Sequence, residues 1–186
     1  MTDREFAELF EAYMQNKRDE MRAKYDRVLP SGEYIFNRFD KAQYLNCGKN
    51  TSIYDTSVVF GDVEIGDNVW VGPYTLLEGS NGKLRIGNYV SIDSGTMIYT
   101  HDSTKKYVSG GVMSVETGDV TIGNNTVIGT MTTVTCGVSI GNHCIIGANS
   151  FVNKDISDNC IAVGTPIKII GEVLVHDDGT VDYKYF

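Results

Sequence analysis

The chain has 186 residues, 41% of them hydrophobic and 22% charged, and carries a formal net charge of −8. That balance fits one well-buried globular core; no apolar run approaches the roughly twenty residues of a membrane-spanning helix, and the charged N-terminus lacks a secretory signal pattern. A cytoplasmic location without membrane insertion is expected, and the acidic balance argues against general binding to nucleic acid or anionic lipid, so any anionic ligand needs a local basic pocket.

Residues 1–30 read as an amphipathic helix. Thr2 and Glu5 stand at capping-box spacing, and Phe6, Leu9, Phe10, Tyr13, Met14, Met21, Tyr25 and Val28 form an apolar stripe that stops before Pro30. The stripe is expected to cap the open end of the fold that follows; the alternative is packing on a partner subunit. Residues 31–50, with Tyr34, Phe36, Phe39 and Tyr44, form a lead-in segment of no clear period.

From residue 51 a large aliphatic side chain recurs every sixth position: Ile53, Val59, Ile65, Val71, Leu77, then Ile86, Ile92, Ile98, then Ile122, Ile128, Val134, Ile140, Ile146, Val152. A strand has period two and a helix period 3.6, so this period describes short strands joined by identical corners, the signature of a solenoid. A small or β-branched residue follows four places later, as at Ser57, Thr75, Thr96, Thr126, Thr132, Cys144 and Ser150. Asp67, Asn68, Asn124, Asn125 and Asn142 fall at the corners, where Asn, Asp and Gly tolerate a positive φ. Three hexapeptides per coil stack like residues over like, and the solenoid is expected over 51–166. Cys47, Cys136, Cys144 and Cys160 show no CxxC spacing and read as apolar fillers rather than zinc ligands or disulfides.

Two interruptions break the register. Leu77 to Ile86 is nine residues, which makes a bulge within 78–83, and Ile98 to Ile122 is twenty-four, which extrudes a loop over about 101–119 containing His101, Asp102, Lys105, Lys106 and Tyr107. Asp102 takes a slot that elsewhere points into the core, where an ionised carboxylate is very costly, so the chain leaves the coil by His101. Three hexapeptides before Ile98 lies Leu77, so the interruptions meet at one corner and bring His101 beside Glu78. A histidine there can act as general base with Asp102 or Glu78 orienting its ring, or be an exposed loop residue without chemistry. Residues 167–186 form a tail in which Val173, Val175, Asp178-Gly179, Val181 and Tyr183 suggest a hairpin.

The ordered motifs Ile122-Gly-Asn-Asn-Thr-Val-Ile-Gly129, Cys136-Gly-Val-Ser-Ile-Gly141, Ile146-Gly-Ala-Asn-Ser-Phe-Val152 and Gly164-Thr-Pro-Ile-Lys168 resemble the C-terminal half of hexapeptide-repeat acyltransferases that act on sugars and surface polysaccharides. The resemblance covers roughly residues 51–170. It implies a left-handed parallel β-helix, a homotrimer with active sites between subunits, acetyl-CoA as donor without a metal, and a sugar or nucleotide-linked sugar as acceptor in surface-glycan assembly. It makes His101 the general base with Asp102 beside it. It assigns Glu78, Lys105 and Tyr107 to the acceptor, the Thr130 amide to the oxyanion, and Gly129, Thr130, Ala148, Ser150, Lys154 and Lys168 to the CoA. The chain departs from the pattern at Cys136, where proline is usual, at Val127, where tryptophan is frequent, and at Asn149, where glycine is common. An antibiotic acetyltransferase, a γ-type zinc carbonic anhydrase and an inactive scaffold are the alternatives. The carbonic anhydrase needs three histidine ligands, and His101, His143 and His176 include no close pair.

Overall fold

Every sixth residue turns inward, so the chain folds as a three-faced coil. The computed structural model describes residues 1–186. The first face stacks Ser52–Ile53, Trp70–Val71, Ser91–Ile92, Val127–Ile128, Ile145–Ile146 and Cys160–Val163 in parallel. The second stacks the opening residues of Val58–Ile65 and Leu76–Ile86, then Met97–Ile98, Thr133–Val134 and Phe151–Val152. The third takes the ends of those two long strands, then Val120–Ile122, Ser139–Ile140 and an isolated bridge at Ile156.

The core is a set of ladders. Ile53, Val71, Ile92, Ile128 and Ile146 on the first face and Leu77, Ile98, Val134 and Val152 on the second are sealed from solvent, each burial worth about 1.5–3 kcal/mol. Five of the hydroxylated residues at the corners are satisfied by a carbonyl of the next coil, Thr51 donating to Gly66, Ser57 to Gly72, Thr96 to Gly129, Thr126 to Gly141 and Thr132 to Gly147, whereas the buried Thr75 hydroxyl has no partner.

At the corner between the third and first faces, adjacent polar residues divide two tasks. Asn50, Asn68, Tyr89, Asn125, His143 and Asn159 adopt positive φ. Asp67, Asn124 and Asn142, expected from sequence to do the same, do not; their side-chain oxygens instead accept the amides of Lys49, Asn88 and Asn124 from the coil before. Tyr89 is exposed, yet it holds a left-handed conformation that costs a residue with a Cβ about 1–2 kcal/mol and that Asn visits more readily. Tyr89→Asn should therefore raise the free energy of unfolding by about 0.5–1 kcal/mol, read as a higher urea midpoint at unchanged slope.

The N-terminal reading needs a correction. Helix α1 (Asp3–Tyr25) forms with the expected Thr2/Glu5 capping box, but Met14 alone of its residues is buried, so it does not cap the solenoid. That task falls to the lead-in segment, which folds as α2 (Gly32–Ile35) and α3 (Arg38–Tyr44). Ala42 enters the core with Leu45 and Cys47 packed beside it, and Lys41 Nζ donates to the carbonyls of Tyr54, Asp55 and Ser57 at 3.1, 2.8 and 2.7 Å, closing the first corner. At the other end Lys168–Val175 returns antiparallel to Cys160–Val163 and forms a hairpin with Val181–Tyr185, Val173 facing Tyr183 and Val175 facing Val181.

Candidate active site

The two irregular stretches meet at the corner between the second and third faces. Leu77 pairs with Ile98, which places the bulge one coil below the extruded loop. The bulge enters where the register shifts, Gly61 facing Gly79 but Asp62 facing Lys83. Gly61 has φ +84°, and a Cβ on either glycine would run into the other coil's backbone, so this pair lets the two coils close beneath the site. The chain then leaves the coil: His101–Asp102 pairs antiparallel with Glu116–Thr117, the short helix α4 (Thr104–Val108) lies between them, and the Gly118 amide returns to Thr100 O at 3.0 Å. Lys105 Nζ binds Glu116 at 2.6 Å across the loop.

Glu78 is wholly buried, and its carboxylate gathers the corner. Its Oε2 accepts from the Thr100 amide at 2.8 Å, the Thr100 hydroxyl at 3.0 Å and His101 Nδ1 at 3.0 Å, while its Oε1 accepts from the Ser80 amide. Burial by itself pushes this carboxyl up, but the hydrogen bonds from Thr100, His101 and Ser80 outweigh it and lower the pKa from 4.5 to about 2. An ionised carboxylate can only accept, so Nδ1 is the nitrogen that donates to Glu78 and Nε2 is the one left to exchange a proton. The ring is 31% exposed, and Tyr99 stands edge-on to it with centroids 6.4 Å apart. An imidazole with one nitrogen anchored on a buried anion and the other open has the geometry a general base requires.

The other expected site residues separate into groups. Asp102 makes no hydrogen bond to His101; the Thr104 hydroxyl, with the Thr104 amide that Oδ1 accepts at 2.7 Å, holds its carboxyl below the usual range. Glu78, expected to meet the acceptor, is sealed beneath the ring. Lys105 is tied to Glu116, whereas Tyr107 is exposed on the loop. Lys154 is exposed on the His101 corner, following Phe151–Val152. Gly129, Thr130 and Ala148 lie at a different corner, between the first and second faces, where a Cβ on Gly129 would press on the Ala148 amide and the Thr130 N–H has no partner within the chain. Ser150 faces inward, its hydroxyl donating to Gly147 O at 2.6 Å, and Lys168 is exposed on the returning strand. Residues around His101 and residues around Thr130 thus sit on different corners of the same chain.

Thr100 and Ser80, which complete the carboxylate's hydrogen bonds, have no spacing that singles them out. Asn149, the departure from glycine, has φ 55°, a conformation asparagine tolerates. The histidines stand apart: His143 contacts Asn125 at a corner, and His176 binds Asp182 in the tail. No group of three or more His, Cys, Asp or Glu side chains is placed to hold a metal ion, and no helix is long and apolar enough to cross a membrane.

The model of the bacterial transferase hexapeptide (six repeats) matches residues 114–154. Protein YrdA of Escherichia coli is 28% identical over 81 residues, which are 44% of this chain and 44% of YrdA. The bifunctional protein GlmU of Chromohalobacter salexigens is 37% identical over 83 residues, 43% of this chain and 16% of GlmU. The matches therefore span less than half the length of either relative. Among solved structures, AntD, an N-acyltransferase from Bacillus cereus in complex with dTDP and 3-hydroxybutyryl-CoA, is 27% identical with a TM-score of 0.61, covering 67% of this chain and 70% of AntD. A hexapeptide-repeat containing acetyltransferase from Vibrio cholerae, complexed with acetyl-CoA, shares the fold with a TM-score of 0.66 at 20% identity over 87% of each chain. The repeat model thus matches the middle of the chain, and the coil is similar in fold to these acyltransferase structures over most of its length.

Proposed function

We propose that this protein moves an acetyl group from acetyl-CoA to a hydroxyl or amine of a sugar, carried as a nucleotide-linked sugar in surface-glycan synthesis. The observation that carries the reading is the Glu78–His101 pair at the root of the extruded loop. His101 Nε2 takes the proton of the acceptor as its oxygen or nitrogen attacks the thioester carbonyl, and Glu78 steadies the imidazolium that forms. The C–S bond then breaks, and His101 returns the proton to the departing thiolate. The developing oxyanion needs a preorganised donor, and the free Thr130 amide of a neighbouring copy fits that task. The same small-residue corner, Gly129 with Ala148, offers backbone groups to the pantetheine arm, and Lys154 and Lys168 supply cations for the CoA phosphates. Tyr107 remains available to the acceptor.

A homotrimer with a left-handed coil, working in the cytoplasm, completes the reading; separation of His101 and Thr130 on different corners supports the need for more than one copy. The likeness to AntD, whose structure holds dTDP and 3-hydroxybutyryl-CoA, favours an amino sugar on a nucleoside diphosphate and adds that thioester to the donors worth testing.

The test incubates the protein with acetyl-CoA or 3-hydroxybutyryl-CoA and a set of nucleotide-linked amino and neutral sugars, with mass spectrometry of the products. Acylation of one such sugar with stoichiometric CoA release is expected. Acylation of antibiotics alone would replace the glycan reading with a xenobiotic one, and the absence of any CoA binding would leave a scaffold.

A further inference from the structure

Two apolar surfaces of this chain lie open at opposite signs of charge. The first is the N-terminal half of α1, where Phe6, Leu9, Phe10 and Tyr13 are between 43 and 63% exposed. Asp3, Glu5, Glu8 and Glu11 flank them; Arg4 binds Glu8 at 3.0 Å and the N-terminal ammonium lies 4.0 Å from Glu5, which leaves Asp3 and Glu11 without a basic partner. The second is the tip of the extruded loop, where Tyr107, Val108, Val112 and Met113 are 50 to 87% exposed. Between Asp102 and Glu116 this loop contains Lys105 and Lys106 and no carboxylate, a basic stretch in a chain of net charge −8. Lys105 is spent on Glu116, which braces the loop, while Lys106 has no ion-pair partner. A Cβ on Gly110 or Gly111 would meet nothing within 4 Å, so the tip stands clear of its own coil.

We infer that the loop tip of one copy docks on the α1 stripe of a second copy. Contiguous exposed apolar surface at two sites calls for cover, and here the flanking charges are complementary: carboxylates beside the helix stripe, the free cation Lys106 beside the loop tip. The two surfaces do not meet within one chain, since α1 lies with α2 before the first coil and the loop leaves the coil at His101. The acidity of the helix disfavours an anionic lipid surface as the occupant. The contact is heterologous, one patch on one copy against a different patch on the next, and such contacts close as rings when the rotation permits. This deepens the multi-copy reading above: the loop begins at His101, so its anchoring sets one wall of the proposed site. Cross-links report the contact and turnover reports the chemistry, which keeps their failures distinguishable.

The experiment mixes copies labelled with heavy and light nitrogen, joins neighbouring amines and carboxylates with a carbodiimide, and reads the linked peptides by mass spectrometry. Heavy-to-light links from Lys106 to Glu8 or Glu11 are expected. Lys106→Glu should weaken association on the order of tenfold in sedimentation, and Glu8→Lys with Glu11→Lys in the same chain should restore it. Links confined to one copy, links between two α1 helices, or association insensitive to Lys106→Glu would overturn the inference.

Discussion

Replacing His101 with asparagine should lower turnover about 10²- to 10⁴-fold, the range a positioned general base supplies. Asparagine suits the test because its side-chain amide can put an N–H near the place of Nδ1, where Glu78 Oε2 now receives a bond at 3.0 Å. The buried carboxylate stays satisfied, so the corner need not rearrange, and what disappears is the Nε2 lone pair. CoA affinity, measured by titration calorimetry, should stay within about twofold, because no CoA contact is assigned to this ring; the loss should fall on kcat. Asp102→Asn is the control. Its carboxylate is engaged with Thr104 and makes no hydrogen bond to the ring, so turnover should change only a few-fold. If the His101 variant kept its rate, or if Asp102→Asn proved as damaging, the base would have to be reassigned.

Legibility in this chain follows repetition. The aliphatic ladder repeats with every coil, so the three faces, the bulge after Leu77 and the loop after Ile98 all follow from counting, and the same count brings Glu78 beside His101. Counting cannot say which way a side chain turns. Asp102 is adjacent to His101 in sequence, yet residues at i and i+1 of an extended pair point to opposite sides, so the carboxylate that reaches Nδ1 comes from the coil below. The exchange of roles between α1 and α3 has a similar origin. Amphipathic periodicity marks α1 as having an apolar face but is silent on what covers it, whereas the seven residues of α3 are too few to show a period. Lys41 could not be found from spacing either, because its three acceptors are backbone carbonyls that exist only once the first coil has closed. The division between Asn124 and Asn125 is a matter of one residue, the usual uncertainty of a corner read from composition alone.

Glu78→Gln should show that this carboxylate works through His101 and also holds the corner together. Glutamine keeps one acceptor oxygen, and if that oxygen serves Thr100 and His101 its amide faces the Ser80 N–H donor to donor; turned around, it opposes Thr100 and the imidazole instead. Either orientation strands buried donors and removes the anion that stabilises an imidazolium, so kcat should fall roughly 10²- to 10³-fold with little change in KM. The stability readout has a definite pH sign. The folded carboxyl is lowered to about 2 from an ordinary 4.5, so its contribution is fully present above pH 4.5 and is lost as the pH falls toward 2. At 1.36 kcal/mol per pKa unit that contribution is on the order of 3 kcal/mol. Urea unfolding at pH 6 should therefore separate wild type from Glu78→Gln by a wide margin that narrows steadily between pH 4.5 and 2, as the native carboxyl itself becomes protonated and resembles the amide. A gap that stayed constant across this window would assign the effect to lost packing or mismatched donors rather than to charge. The proton on Nδ1 would then lack the electrostatic cause given for it, and with it the claim that Nε2 is held ready to take a proton.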